Sequence, residues 1–219
     1  MAIYAIGDLH LSFQVEKPMD IFGDKWSNYE KKIIESWENI VTKEDIVIIP
    51  GDFSWATYLN QAIKDFDYIN KLPGRKILIK GNHDYWWETI KKMNIFLEEN
   101  GFKNIEFLHN NAIELKKYIL CGTKGYGEEE KDNKLINREI ERFKISLSHI
   151  KNNNKEIIAV FHYPPMHSEI LMNIIKEYKI SKVIYGHIHG PKTREMRDDK
   201  QFILVSADYL HFKLKQICI

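Results

Sequence analysis

The residues of this sequence that could carry chemistry follow short apolar stretches, at the points where those stretches end. Asp, Asn or His stands at the end of five of them. Carboxylate oxygen and imidazole nitrogen, without thiolate, suit Mn, Fe, Zn or Ni better than Ca or Cu(I). The sequence therefore predicts a site for transition-metal ions. Its candidate ligands are Asp8, His10, Asp52, Asn82, His162, His187 and His189.

The number of candidate ligands favours two ions over one. Asp8 and His10 are two positions apart, so an extended backbone directs both side chains to one side, and His187 and His189 repeat that spacing. Seven ligands suffice for two ions if one carboxylate bridges them, and Asp52 is the natural bridge. Two ions roughly 3.5–4 Å apart can lower the pKa of a shared water and clamp the attacking and leaving oxygens of a displacement.

The charge of such a site points to its substrate. Two divalent ions outweigh the charges of Asp8, Asp52 and a bridging hydroxide, and the neutral Asn82 stands where a third carboxylate could have reversed that balance. A net positive site favours a phosphate oxyanion.

The elements that must position these residues alternate between strand and helix. Apolar stretches at 2–6, 46–49, 76–80, 157–161 and 182–185 are typical of buried strands. Apolar residues at three- and four-residue steps predict helices over 26–41, over 59–69 and from 87 to the Asn100-Gly101 cap. Strand–helix–strand units imply parallel strands, whose carboxyl ends form the usual ligand-binding crevice of α/β sheets. All five polar motifs are expected there.

The middle and the end of the chain are richer in strands. Short apolar runs at 105–108, 112–115 and 118–121 predict hairpins in a second sheet, and 135–150 has helical periodicity. The segments 202–206 and 209–217 read as strands, with a hairpin back to 194–197 through Asp198-Asp199-Lys200. Residues 11–23 suggest a loop. We expect an α/β fold in which two sheets pack face to face with helices outside, as a single domain over residues 1–219.

Composition excludes several classes of protein. The net charge of +1, with Lys and Glu interspersed, argues against a dedicated nucleic-acid surface. Cys121 and Cys218 provide neither a disulfide framework nor a thiolate metal site. Apolar runs fall short of the roughly 20 residues needed to cross a bilayer, and the N-terminus lacks the features of a signal peptide. The expected location is the cytoplasm. The oligomeric state stays open.

Taken together and in order, the motifs resemble those of the calcineurin-like metallophosphoesterases. They are Asp8-x-His10, Gly51-Asp52, Gly81-Asn82-His83-Asp84, His162 and Gly186-His187-x-His189. The resemblance implies a four-layer α/β/β/α fold with two mixed sheets and a binuclear metal centre. It assigns the first metal to Asp8, His10, Asp52 and His189. It assigns the second metal to Asp52, Asn82, His162 and His187.

The resemblance also gives His83 a role distinct from that of a ligand. His83 would face the scissile phosphate and protonate the leaving oxygen. Protein phosphatases of the family have a second Asp, three residues after the first, that orients this histidine, whereas this chain has Trp55. That departure puts a protein-phosphatase assignment in doubt. Asp84 is a candidate to orient the His83 ring without itself contacting the metal or the substrate, although adjacent side chains often point apart.

The predicted activity is hydrolysis of small phosphomonoesters or phosphodiesters, by direct attack of a metal-bridging hydroxide. The motifs look most like those of a prokaryotic subgroup described as predicted phosphohydrolases, a name that gives no substrate. The alternatives are a nuclease and a non-catalytic protein-binding scaffold. Trp86, Lys124 and Tyr126 are candidate substrate contacts, against core packing for Trp86 and a surface loop for the other two.

Overall fold

The computed structural model describes residues 1–151 and 154–219, and these residues form two five-stranded sheets flanked by helices. The strands are β1 (Ile3–Ala5), β2 (Ile46–Pro50), β3 (Arg75–Ile79), β4 (Ile105–Phe107), β5 (Ile113–Glu114), β6 (Tyr118–Thr123), β7 (Glu156–Phe161), β8 (Lys182–Tyr185), β9 (Phe202–Leu204) and β10 (Lys215–Cys218). The α-helices are α1 (Tyr29–Ile40), α2 (Ile63–Lys71), α3 (Ile90–Glu99), α4 (Asn133–Ser148) and α5 (Glu169–Glu177). Short 3-10 turns span Met19–Phe22, Asp24–Trp26, Leu59–Ala62, Pro165–His167 and Gly190–Glu195.

Both sheets are mixed. The first has the order β10-β1-β2-β3-β4, in which β1 to β4 are parallel and β10 runs antiparallel to β1. The second has the order β5-β6-β7-β8-β9, in which β6 to β9 are parallel and β5 is antiparallel to β6. Because β1 to β4 are parallel in the first sheet and β6 to β9 are parallel in the second, the carboxyl ends of these strands lie at one edge of each sheet.

Alternation along the strands produces the layers. In β2, Val47 and Ile49 pack in the apolar cluster that includes Trp37 of α1, whereas Ile46 and Ile48 pack in the cluster between the two sheets. Successive side chains of a strand point to opposite faces, so each strand supplies both clusters. A third cluster joins the second sheet to α4 and α5. These contacts confirm two mixed sheets packed as a sandwich with helices outside.

Backbone contacts bring the ligand-bearing ends of the two sheets together. The N–H of Gly7, just after β1, donates to the carbonyl of Val205 at 2.7 Å. The N–H of Ala207, just after β9, donates to the carbonyl of Gly7 at 3.0 Å. The loops after the first-sheet strands therefore face those after the second-sheet strands across one crevice.

Three local predictions are wrong. The segment at 105–108 forms β4 beside β3 in the first sheet, because it follows a crossover helix and returns parallel to β3. Residues 209–213 turn instead of extending, since His211 and Phe212 have φ of 51° and 61°, and β10 begins only at Lys215. The segment at 190–195 is a 3-10 turn that contains Pro191, and β9 pairs parallel with β8 without a hairpin.

The first helix also begins later than its periodicity predicts. Trp26 belongs to a separate 3-10 turn, and Asn28, with φ of 52°, separates that turn from α1. Among the described residues, the helices are all too short or too polar to traverse a lipid bilayer.

Candidate metal centre

The predicted ligands converge in two groups at the crevice. The ligand atoms of Asp8, His10 and His189 lie within 4.8 Å of one another. Those of Asp52, His162 and His187 do so as well. Each group combines residues from both sheets, so the centre depends on the contact between the sheets.

Asp52 lies between the two groups. Its Oδ2 is 3.8 Å from His10 Nε2 in the first group and 3.5 Å from His162 Nε2 in the second. Its Oδ1 accepts a hydrogen bond from the backbone N–H of His83 at 2.8 Å. Asn82 joins the second group, with its Oδ1 2.6 Å from His162 Nε2. One carboxylate oxygen therefore faces imidazoles of both groups, as a bridge requires.

The backbone at the site adopts costly conformations. Four ligand residues have positive φ, a region that costs a residue with a Cβ about 1–2 kcal/mol. They are Asp8 (56°), His10 (48°), Asp52 (49°) and His187 (71°). Such strain concentrates at functional sites, where the surrounding fold enforces it.

Two glycines of the motifs are required because a carboxylate lies too close to each of them to leave room for a side chain. A Cβ on Gly81 would lie 2.2 Å from Asp52 Oδ1, and a Cβ on Gly186 would lie 2.4 Å from Asp8 Oδ2. Both distances are shorter than any non-bonded contact allows. The glycines therefore let the carboxylates of Asp8 and Asp52 sit against the neighbouring loops.

Burial sets the electrostatics of the ligands. Burial raises the pKa of Asp8 to about 7, with a contribution from nearby Asp52, and burial also raises the pKa of Asp52 itself. Burial lowers the pKa of His162 and that of His187 to about 3. The imidazoles of His162 and His187 are therefore neutral at physiological pH, which is the form that binds metal.

The donor set fits a pair of divalent ions. His10 Nδ1 is buried and has no hydrogen-bond partner among the described residues. Buried carboxylates that lack an opposite charge are costly, and a cation between the groups would supply that charge. The oxygen and nitrogen donors match Mn, Fe, Zn or Ni.

Asp208 supports the first group and was missed by the sequence analysis. Its Oδ1 accepts from His189 Nδ1 at 2.8 Å, and its Oδ2 accepts from Lys25 Nζ at 2.5 Å. Burial lowers the pKa of His189, but the hydrogen bond to Asp208 and the charge of Asp8 outweigh it and the pKa is raised. A carboxylate behind a metal-binding histidine fixes the ring orientation. The sequence pattern that identified the other residues could also have identified Asp208, because it too follows an apolar run, at 202–205.

His83 lies beside the ligands and packs against an aromatic ring. Its ring centroid is 4.5 Å from that of Trp55, and Trp55 also stacks on His10 at 4.8 Å. His83 Nδ1 is buried without a hydrogen-bond partner among the described residues. The residue that replaces the expected second Asp therefore contacts both histidines through its ring.

Asp84 is fully buried beneath the turn. Its carboxylate accepts from the N–H groups of Gly81 at 2.7 Å and Phe53 at 2.9 Å, and from Trp86 Nε1 at 3.0 Å. Ser54 N–H donates to it at 3.2 Å. No hydrogen bond joins Asp84 to His83 within the described part of the chain. These contacts connect the loop after β2 to the loop after β3.

The three candidate substrate contacts lie away from the cavity that the ligands border. Trp86 is 1% exposed and packs against Phe53 and Phe66 in the core. Tyr126 donates from its hydroxyl to Ser168 Oγ at 2.5 Å. The backbone carbonyl of Lys124 accepts from the N–H of His162 at 3.1 Å. Lys124 therefore positions a ligand loop through its backbone.

Comparison with known proteins gives a consistent result. The model of the calcineurin-like phosphoesterase family matches residues 1–191. An uncharacterized protein of Methanocaldococcus jannaschii, MJ1445, is 25% identical over 189 residues, which is 83% of this chain and 96% of that protein. The gene 66 protein of Mycobacterium phage L5 is 34% identical over 77 residues, 35% of this chain and 37% of that protein.

Solved structures share the fold at low sequence identity. AQ665 from Aquifex aeolicus, a protein of unknown function, is 21% identical with a TM-score of 0.56, over 98% of this chain and 95% of that one. The phosphopantetheinyl hydrolase PptH from Mycobacterium tuberculosis is 12% identical with a TM-score of 0.61, over the same shares. The match of the family model over residues 1–191 shows that the chain belongs to the calcineurin-like phosphoesterase family.

Proposed function

We propose that this protein hydrolyses small phosphomonoesters or phosphodiesters with the help of two divalent transition-metal ions. The observation that carries the proposal is the position of Asp52, whose Oδ2 faces His10 at 3.8 Å and His162 at 3.5 Å. Ions bound in the two groups would activate a shared water and neutralise charge on the phosphoryl group. Mn, Fe, Zn and Ni all fit the donors.

The side chains divide into holding and proton-transfer roles. The first ion would be held by Asp8, His10, Asp52 and His189. The second would be held by Asp52, Asn82, His162 and His187. His83 lines the cavity beside both groups and would protonate the departing oxygen. Trp55 fixes the His83 ring by packing, where a carboxylate would otherwise orient it by hydrogen bonding.

A substrate panel tests the proposal. Metal-stripped protein is loaded with Mn, Fe, Zn or Ni and assayed on a phosphomonoester, a phosphodiester and single-stranded DNA. We expect metal-dependent turnover of at least one small ester. In the His83→Ala variant we expect turnover to fall by about 10²–10⁴-fold while bound metal is retained. The control is His149→Ala, which removes an exposed histidine at the end of α4.

Each rival function gives a different result in the same panel. A nuclease would turn over DNA much faster than any small ester. A non-catalytic scaffold would bind no transition metal even after incubation with Mn. Undiminished turnover in the His83→Ala variant would refute the role given to that histidine.

A further inference from the structure

A cavity of about 390 Å³ opens beside the metal ligands, and its two walls differ in chemistry. This volume is in the range of small-molecule sites. One wall consists of the catalytic and ligand residues His10, Asp52, His83, His187 and His189. The other wall is formed largely by sulfur and aromatic rings, from Met19, Phe22, Trp26 and Trp55.

Two polar groups of the second wall have partners within the protein. Trp55 Nε1 lies 3.1 Å from Met19 Sδ and donates to it. Lys25 is the one lysine or arginine among the described residues that line the cavity, and its Nζ is 2.5 Å from the Asp208 carboxylate. A second phosphate or a carboxylate on the substrate would therefore find no free cation on this wall.

The rim of the cavity exposes an aromatic ring. Phe22 is 61% exposed in the 3-10 turn of residues 19–22, whereas Trp26 of the same cavity is buried. A single exposed apolar residue is ordinary. Phe22 differs from its neighbour Ile21, which is 72% exposed, in that Phe22 lines the cavity and Ile21 does not. A bound apolar group would remove the Phe22 ring from water.

We propose that this cavity binds the alcohol portion of the phosphate ester, and that this portion is a hydrocarbon. The proposal rests on the proposed function, since it places the phosphoryl group at the metal centre. The apolar wall then holds the leaving group next to His83, which delivers the proton to the departing oxygen. The substrate class is a phosphate ester of an apolar alcohol.

Binding of non-hydrolysable analogues tests this assignment without turnover. Mn-loaded protein is titrated with n-alkylphosphonates from methyl to hexyl, and the Kd is measured by calorimetry. We expect affinity to rise by about fourfold for each added methylene until the cavity is filled. The heat capacity of binding should become more negative along the series. Affinity that is independent of chain length would overturn the proposal.

Variants at the rim locate the effect in this cavity. Phe22→Ser should reduce the hexyl-to-methyl affinity ratio by about fivefold, because the exposed ring no longer covers the chain. Phe22→Leu should restore most of the ratio. Ile21→Ser, next to it but outside the cavity, should keep the wild-type ratio. Equal ratios in the Phe22→Ser and Ile21→Ser variants would place the chain elsewhere and refute the assignment.

The failures of the two proposals are distinguishable. If alkylphosphonates bind with the expected dependence on chain length but no ester is hydrolysed, the apolar site stands and the proposed activity is wrong. If short esters are hydrolysed and chain length has no effect on Kd, the activity stands and the apolar site is wrong.

Discussion

Asp52 and Asp84 are two buried carboxylates on neighbouring loops, after β2 and β3, and their partners differ. Burial raises the pKa of both groups, that of Asp84 to about 7. Both oxygens of Asp84 accept backbone hydrogen bonds: Oδ1 from Phe53 in the loop after β2, and Oδ2 from Gly81 in the loop after β3. Asp52 accepts one from the His83 N–H and directs its other oxygen at two imidazoles. Burial and a raised pKa are therefore common to both carboxylates, whereas only Asp52 directs a carboxylate oxygen toward other candidate ligands.

The largest effect is expected from Asp52→Asn. The amide brings no negative charge between the two groups, so we expect kcat/KM to fall by about a thousandfold and bound metal to decrease. The metal-free variant should unfold at a urea concentration no lower than the wild type, because a costly buried carboxylate has been removed. Turnover, metal content and urea denaturation are measured on the same preparation. Turnover equal to that of the wild type in the Asp52→Asn variant would refute the assignment of Asp52 as the bridging ligand.

The opposite pattern is expected from Asp84→Ala. The variant leaves the N–H groups of Gly81 and Phe53 and the indole of Trp86 without their acceptor. We expect the free energy of unfolding of the metal-free protein to fall by about 3 kcal/mol or more. Urea denaturation measures it. If Asp84→Ala were as stable as wild type and lost only turnover, Asp84 would belong with the catalytic residues.

A smaller effect should follow from Asp208→Asn. The His189 ring loses its charged partner, so metal affinity should decrease by about 10–100-fold. Competition with a chelator measures the affinity. As a control, Lys25→Met removes the other partner of Asp208 and should change metal affinity less than tenfold. Equal losses of metal affinity in the two variants would show that the affinity depends on the ion pair between Lys25 and Asp208 and not on the contact with His189.

The smallest effect concerns the packing of His83. Trp55→Leu removes a ring that contacts both His83 and His10, so kcat should fall by about tenfold. Trp55→Phe keeps a ring and should stay within about threefold of wild type. Steady-state kinetics on one small ester measures both. A raised KM with an unchanged kcat would show that Trp55 acts in substrate binding alone.

Local patterns predicted the fold where each element carries its own signal. The continuous apolar run of β2 is buried throughout in the structure, and the four-residue spacing of Tyr29, Ile33 and Trp37 in α1 forms a buried face. The errors concern pairing, which depends on contacts between distant residues. The run at 105–108 has the composition of a strand in either sheet, and only the preceding crossover helix places it beside β3.

The site was predictable to the extent that its residues follow strands. Six predicted ligands form the two groups, and Asn82, the seventh, contacts His162 of the second group. The apolar wall was not predictable, because Met19 and Phe22 lie in a segment without periodicity and reach the site through tertiary packing. The partners of Asp84 were also hidden, since hydrogen bonds to backbone N–H groups leave no pattern in the sequence.

Counting ions against turnover tests the central claim most directly. Metal-free protein is titrated with Mn²⁺, and bound ions and hydrolysis of a small phosphate ester are measured on the same samples. We predict two ions per chain in the wild type, with turnover that appears as the second ion binds, and fewer than two ions in the Asp52→Asn variant. Full turnover by metal-free protein in the presence of a chelator would contradict the account.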